Sequence, residues 1–594
     1  MKRYLITTAD ERAWVFDRPV LFLGQWCLRY DCKETWSKMD YEVFHPYGLG
    51  QKNKDKDCDY TSVMEDELLS LLREKLNQIH SVEYTVRDWK IILGTWLRRY
   101  IRVVVNRYST LKNCIDSGKV DGVKVLFNNS FILAAKDSLS FVWACNDRFW
   151  NNVFYSKLFD YIPNHSIQTE PVTFEIEENG KTINEDSFSF KKYLRKKTYF
   201  LFDKLTNFFV RDRDGFVITS YLPIKLEFLL QLRLFQIPKI WRSPEYPGRG
   251  VYNPLLRTNL KSEISKNNKD MESVIYDFLF DMLPICFLEG FKSVQSEIKN
   301  LPWPKRPKFI FTSNNFDFDE LFKVWSVEKL RAGSKYYIGQ HGNNYGTYRF
   351  NNPSIEESIS DQFITWGWKD GLFQHTPAFL LKNGNRKPIR SNPNGKLLLI
   401  ELPLFQTVET WDVYAEYSQY YDEQLVFVNG LGSDVKRELI IRLHKEYKYH
   451  EWCDEKRWKD FDPDLTLDYG LAPITSLISN SRLVVHSYDS TGMLETLSQN
   501  IPTIAFWAKG LEHLRESAIP YYQRLVEVGI VHLSPKTAAK HINQIWNNVS
   551  TWWYSKNVQE TRLSFCDRYA KEVQNPISTL REILLDESNT LGSG

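Results

Sequence analysis

The sequence predicts an α/β protein of two Rossmann-type domains facing one another across a cleft, the first carrying an insertion. Short apolar runs alternate with helical patterns in two separate stretches, as parallel sheets with crossover helices do. A polar break containing Pro and Gly at 387–395 separates the two stretches. Polar turns follow several of the apolar runs, at the strand ends where doubly wound sheets hold their ligands.

The first domain is expected over 1–390. Tyr4–Thr8 and Val20–Leu23 read as strands, Glu65–Ile79 and Val86–Val105 as helices, and Val123–Phe127 as a further strand. The stretch from about 165 to 300 is less regular and reads as the insertion; it holds a Pro-rich run between Pro238 and Pro254. The alternation resumes after Pro302-Trp303-Pro304. Lys308–Phe311, Tyr336–Ile338 and Phe363–Trp366 are strands, and Asp319–Arg331 is a helix stopped by Gly333. In the second domain, 391–594, strands are expected at Lys396–Glu401, Leu425–Val428, Leu439–Leu443, Leu483–His486 and Thr503–Phe506. A mostly helical end follows over Ala538–Leu585.

Composition narrows the function. Hydrophobic residues make up 43% of the 594 and charged ones 25%, which excludes wholesale disorder. Lys and Arg number 77 against 74 Asp and Glu, so the near-neutral balance argues against a dedicated nucleic-acid binder. Aromatics at 15% suit a large core and a cleft that stacks sugars. The N-terminal residues read as a strand, not an apolar leader, so a cytoplasmic protein is expected. The apolar stretch Val274–Phe291 is broken by Asp277, Asp281, Pro284 and Glu289 and reads as a buried helix. The eight cysteines are scattered without a CxxC pair, as reduced thiols would be.

Two motifs in the second domain suit a phosphate. The strand ending in His486 runs into Ser487-Tyr488-Asp489-Ser490-Thr491-Gly492 and then a helical pattern bearing Glu495. A helix N-terminus after a hydroxyl-rich turn favours an anion, although Ser490 or Thr491 would serve equally as an N-cap. Arg442 and His444 close an earlier strand, where cations could neutralise a phosphate leaving group. In the first domain, Asn314, Asp317, Asp319, Glu320 and Lys323 follow one strand. Gln340-His341-Gly342 and Tyr345 follow the next. Carboxylates, a His and amides at neighbouring strand ends are what acid/base or nucleophilic chemistry on a sugar uses. The acidic residues would also complement a helix dipole.

The basic-x-His strand end followed by a Ser/Thr turn resembles the paired motifs of GT-B glycosyltransferases that use CMP-activated sugars, the sialyltransferases and bacterial Kdo transferases. Lys445 stands where those motifs usually carry Pro. The chain also resembles a family of transferases from bacterial surface-polysaccharide gene clusters. The shared features are Tyr4–Thr8 with Leu21–Cys27, Gln340-His341-Gly342-x-x-Tyr345-Gly346, Trp366-Gly367-Trp368, and Ser490-Thr491-x-x-Leu494-Glu495-Thr496-Leu497 ending at Asn500-Ile501-Pro502-Thr503. More distantly it is similar to the retaining β-Kdo and nonulosonate transferases.

These resemblances imply a GT-B-like fold, a CMP-activated ulosonic acid donor and a glycan or lipid-linked oligosaccharide acceptor. Retention through a carboxylate adduct is implied as well, with no metal or other cofactor. Asp319 is the first choice of nucleophile, ahead of Glu320 and Asp317; His341 is expected as base, phosphate partner or acceptor contact, with a second carboxylate as the alternative base. Gln340, Asn314, Tyr345 and Lys323 are expected to bind substrate. Arg442, His444, Ser487, Ser490, Thr491 and Glu495 are expected on the nucleotide. The DxD triplets Asp212-Arg213-Asp214, Asp317-Phe318-Asp319 and Asp462-Pro463-Asp464 keep a metal-dependent nucleoside-diphosphate-sugar enzyme open. A non-catalytic glycan-binding scaffold is the other alternative. The basic-aromatic segment Lys191–Lys197 could rest on an anionic inner membrane or be a solvated helix face.

Overall fold

The computed structural model describes residues 2–126, 131–163, 167–172 and 210–585, apart from 267, 352, 373, 385–387, 403–408, 411–412, 446 and 450–451. The segment Lys191–Lys197 lies outside the described residues.

Sixteen strands form three sheets among these residues, and all their pairings are parallel. The first sheet has the order β3-β2-β1-β4-β5, with β1 at Arg3–Ile6, β2 at Val20–Phe22, β3 at Tyr41–Val43, β4 at Val120–Leu126 and β5 at Gln168–Val172. The second runs β10-β9-β8-β7-β6: β6 Phe216–Ile218, β7 Phe309–Thr312, β8 Lys335–Gly339, β9 Gln362–Thr365 and β10 His375–Pro377. The third has the order β13-β12-β11-β14-β15-β16. Its strands are β11 Lys396–Ile400, β12 Leu439–Arg442, β13 Thr466–Asp468, β14 Ser481–His486, β15 Thr503–Phe506 and β16 Val531–His532. In the first and third sheets the strand order reverses beside the central strand, which opens a crevice at the carboxyl ends of β1/β4 and β11/β14.

The parallel α/β class is as expected, but the first 390 residues hold two sheets. The described part of 165–300 is woven into them: β6 pairs with β7, and the helix Met271–Met282 buries Val274, Ile275, Leu279 and Phe280 in the main core. A second expectation is corrected. Leu425–Val428 is no strand but the end of helix α4 (Val413–Asn429), since four consecutive apolar residues suit a buried helix turn as well as a strand. Phe427 is buried there and stacks on Phe506 of β15, ring centroids 4.6 Å apart.

Two long helices, α1 (Gln51–His80) and α2 (Val86–Asp116), share the main core with strands of the first and second sheets. Thr85 opens α2 with a capping box: its hydroxyl accepts from Asp88 N, and the Asp88 carboxylate accepts from Thr85 N. From α2, Arg99 reaches the loop after β7, and Arg102 and Asn106 reach Glu409 and Thr410 beyond β11. Trp89, Trp96 and Tyr100 of the same helix are fully buried.

The C-terminal helices return to the second sheet. Lys571 N donates to Trp366 O at 2.9 Å and Leu380 N to Lys571 O at 2.8 Å, while Arg568 pairs with Asp370. Gly367 makes this docking feasible. Its φ of +123° suits glycine, and a Cβ there would lie 2.8 Å from Asp567 O and 2.9 Å from Arg568 O. Gly367→Ala is expected to cost roughly 2–4 kcal/mol, read from the shift in denaturant midpoint. A loss within about 0.5 kcal/mol would mean that the C-terminal arm is not docked through this glycine.

Candidate active site

The loops leaving β7, β8 and β9 meet the loop leaving β14. Gln340, at the end of β8, is fully buried and acts as a brace. Its Oε1 accepts from Trp366 N (2.9 Å) and Trp368 Nε1 (2.8 Å), and its Nε2 donates to Gly342 O at 2.9 Å. Both its side-chain oxygen and its nitrogen are thus committed to the loops after β8 and β9.

His341 follows. Its ring lies against Tyr221, Phe316 and Tyr345. The Tyr345 hydroxyl is 3.1 Å from His341 Nδ1 and donates to Glu356 Oε1 at 2.6 Å. With its proton committed to Glu356, the phenol oxygen accepts from Nδ1–H, and Nε2 keeps the lone pair. Nε2 itself lies farther from that oxygen, at 3.5 Å. Burial lowers the His341 pKa to about 4, against the pull of nearby Asp317 and with the help of Lys382. The imidazole is therefore neutral at pH 7 and can take a proton. Tyr345 is buried, and its hydroxyl bridges His341 and Glu356.

The three carboxylates expected as nucleophiles divide by role. Asp317 is gripped by Arg99 through two hydrogen bonds, 2.6 and 2.8 Å. Burial opposes its ionisation, but the Arg99 charge and hydrogen bonds outweigh that and hold its carboxyl below the ordinary value. Asp319 is the N-cap of helix α3 (Glu320–Arg331), accepting from Phe322 N (3.0 Å), Ser243 Oγ (2.8 Å) and Asn315 Nδ2 (2.6 Å). Burial raises its pKa. Glu320 is buried against Lys323 at 2.8 Å and accepts from Ser138 N at 3.0 Å, its pKa likewise raised by burial. The first choice, Asp319, is thus a helix cap, while Glu320 and Lys323 are an interior pair shut off from solvent. Only Asp317 sits by His341. Asn314 begins the short helical turn Asn315–Phe318, and its backbone N–H donates to Thr312 Oγ1.

On the third sheet, Ser490 caps helix α6 (Thr491–Ser498), accepting from Met493 N at 3.0 Å. Its hydroxyl lies 3.1 Å from Nδ1 of His486, whose pKa burial lowers to about 3. Thr491 Oγ1 accepts from Asn343 N at 3.1 Å. The helix-cap reading of Ser490 is therefore the structural one, and Thr491 joins the two sheets' loops. Asn343 Nδ2 completes the joint by donating to Asp489 Oδ1 at 2.6 Å. Asp489 also accepts from the Tyr522 hydroxyl at 3.0 Å and pairs with His513 at 3.1 Å. Glu495 pairs with Lys382 at 3.3 Å, and Lys382 covers the Tyr221 ring. The Gln-His-Gly and Ser-Thr motifs are therefore brought together.

Ser487 donates to Ile400 O at 3.1 Å and lies 2.8 Å from the Tyr420 hydroxyl. Arg442 is paired with Asp468, and the partly buried His444 follows it beyond the end of β12. Between these and Ser487 stands β11, and just past its end lies a residue that sequence reasoning passed over. Glu401 is 5% exposed and accepts from Trp458 Nε1 of helix α5 (Asp454–Phe461) at 2.8 Å. Burial, reinforced by the Asp454 carboxylate, raises its pKa well above the ordinary value. The available signal was a carboxylate at the end of the central strand of a doubly wound sheet.

No group of three or more His, Cys, Asp or Glu is arranged to hold a metal among the described residues. One carboxylate of each of these DxD triplets is paired within the chain: Asp317 with Arg99, Asp462 with Lys436, and Asp214 with Arg211.

A family model described as the LIC12162 family transferase matches residues 3–584. The chain belongs to that family. No curated protein matches the transferase. Solved structures similar to it include a wall teichoic acid polymerase TagF complex, at 13% identity with a TM-score of 0.33, covering 66% of this chain and 96% of that one. MurG of Acinetobacter baumannii is 9% identical with a TM-score of 0.31, covering 63% and 99%. WaaG, a glycosyltransferase involved in lipopolysaccharide biosynthesis, is 9% identical with a TM-score of 0.28, covering 62% and 99%. No helix among the described residues of the transferase is long and apolar enough to cross a membrane.

The raised Glu401 pKa has a checkable sign. Folding favours the protonated acid, so its contribution is lost as pH climbs from the ordinary carboxyl range through the folded value. Glu401→Gln is expected to gain melting temperature on the wild type between about pH 5 and about pH 8. A difference that stays constant over that range would contradict a protonated Glu401.

Proposed function

We propose that the protein is a glycosyltransferase of bacterial surface-polysaccharide assembly. It moves a Kdo-like or other nonulosonic acid from its CMP-activated form to a hydroxyl of a glycan acceptor. The observation that carries this reading is the junction of the Gln340–Gly346 loop with the Ser487–Glu495 turn, beside a neutral His341. Transferase family membership and the motif resemblance to CMP-sugar enzymes support the substrate classes. The acceptor is a glycan or lipid-linked oligosaccharide, and it meets the CMP-activated donor on the cytoplasmic side.

The chemistry follows from the groups present. His341 Nε2 takes the proton of the acceptor hydroxyl as its oxygen attacks the anomeric carbon. The bond to the CMP phosphate oxygen breaks, and CMP leaves with that electron pair. The N-terminus of α6, with Arg442 and His444, offsets the charge on the departing phosphate. The imidazolium formed on His341 is favoured by the negative Asp317 beside it. A single displacement of this kind inverts the anomeric centre. Retention, which the resemblance implies, would instead require Asp317 to release Arg99 and attack first. NMR of the product's anomeric configuration separates the two routes.

Thermal shift with CMP, CDP, UDP, UMP and GDP, with and without Mg²⁺, tests the donor. Stabilisation by CMP without Mg²⁺ is expected, and its loss in His444→Ala. His341→Ala should keep that stabilisation while transfer falls by about 10²–10⁴-fold. Activity limited by His341 should decline as pH falls through about 4, where the ring protonates. A Mg²⁺-dependent preference for UDP or GDP, or no response to any nucleotide, would overturn the assignment.

A further inference from the structure

A polar cleft of about 940 Å³ lies away from the junction. Its walls come from α1, α2, the 349–358 connection and the corner 514–517, and its volume is that of a ligand site. Guanidinium–carboxylate pairs line it. Arg98 is bidentate to Glu65, and Arg349 pairs with Asp55. The ring of Phe350 adds an apolar face. Alternating acids and guanidiniums beside a ring are suited to sugar hydroxyls and a sugar face.

One end of the cleft differs. Arg515 is 6% exposed. Its Nε donates to Tyr348 O at 3.0 Å and its Nη1 to Asp370 Oδ2 at 3.1 Å, with the guanidinium over the Trp368 ring. Asp370 is shared with Arg568, at 3.0 Å, so two guanidiniums lean on one carboxylate, while the buried Glu357 carboxylate also acts on Arg515. Arg515 Nη2 is buried and has no acceptor among the described residues. A buried guanidinium N–H without an acceptor is costly and calls for an oxyanion. The neighbouring Glu516 and Ser517 are exposed, and Ser517 is tied by long hydrogen bonds, 3.3 Å to Asp370 Oδ2 and 3.3 Å from the Tyr569 hydroxyl to Ser517 O. Glu516 and Ser517 line the cleft beside Arg515. Arg515 is also joined to the His341 loop, since Arg515 N donates to Thr347 O at 2.7 Å.

We propose that this cleft binds an anionic segment of the glycan acceptor, with a sugar carboxylate or phosphate held by Arg515 Nη2 and the sugar hydroxyls by the paired acids and guanidiniums. The assignment of the ligand as acceptor rests on the glycosyltransferase reading. The site's selectivity for an anionic sugar does not.

The test is calorimetric titration of the full chain with D-glucuronate, glucose 6-phosphate, glucose and inorganic phosphate, with CMP titrated into the same preparations. At least one anionic sugar is expected to bind about tenfold more tightly than glucose, the size of one charge-assisted hydrogen bond. Arg515→Gln should remove that advantage. Because Arg515 is buried and could be needed for folding, Ser517→Trp, which fills the exposed mouth, provides a second variant and should abolish sugar binding. Glucose binding as tightly as both anionic sugars would overturn the proposal, as would inorganic phosphate matching glucose 6-phosphate. Undiminished anionic-sugar binding in Ser517→Trp would also overturn it. The CMP response reports separately on the glycosyltransferase reading, so either can fail alone.

Discussion

Asn343 Nδ2 donates to the Asp489 carboxylate at 2.6 Å, and the candidate site depends on that joint. The two residues belong to different sheets, one on the loop after β8 and the other on the loop after β14. Tyr522 and His513 load the same carboxylate from the C-terminal side, and Tyr348 donates to the Asp489 carbonyl at 3.0 Å. A buried carboxylate supplied with this many donors holds its partners in one geometry, because each lost hydrogen bond would leave a polar group stranded. His341, two residues before Asn343, inherits its position from this constraint.

The same economy runs through the carboxylates around His341. Asp317 is neutralised by Arg99 of α2, Asp319 caps α3, and Glu320 is sealed against Lys323. Each is satisfied inside the protein, which leaves the neutral imidazole as the one proton acceptor of this group whose lone pair is uncommitted by the Glu356–Tyr345 arrangement. At the third sheet, Glu401 and Asp454 show the opposite solution. Two carboxyls lie buried near one another, and burial, reinforced by the Asp454 charge, raises the Glu401 pKa well above the ordinary value.

Much of this was legible in the sequence. Central parallel strands such as β7, β8, β11 and β14 are continuous apolar runs because both faces are buried, and each was read within a residue or two. The edge strands β3, β5, β10 and β13 carry polar residues and were not seen, and β6 pairs with β7 across nearly a hundred residues of intervening chain. Leu425–Val428 was too short an apolar run to separate helix from strand. His341, Ser490 and Thr491 could be singled out because they follow strands in polar turns. What could not be read was partnership. Nothing local marks Asn343 as the partner of Asp489, Arg99 as the partner of Asp317, or Asp319 as a cap and not a reacting group.

A double-mutant cycle across the joint tests the central claim most directly: Asn343→Ala, Asp489→Ala and the pair, with the His341 ring followed by NMR titration. A coupling energy of about 1–3 kcal/mol is expected, with a His341 pKa that rises from about 4 toward the ordinary value in either single variant as the loop loosens. Additive effects within about 0.3 kcal/mol, with the His341 titration unmoved, would show that the two loops are not held by this interaction.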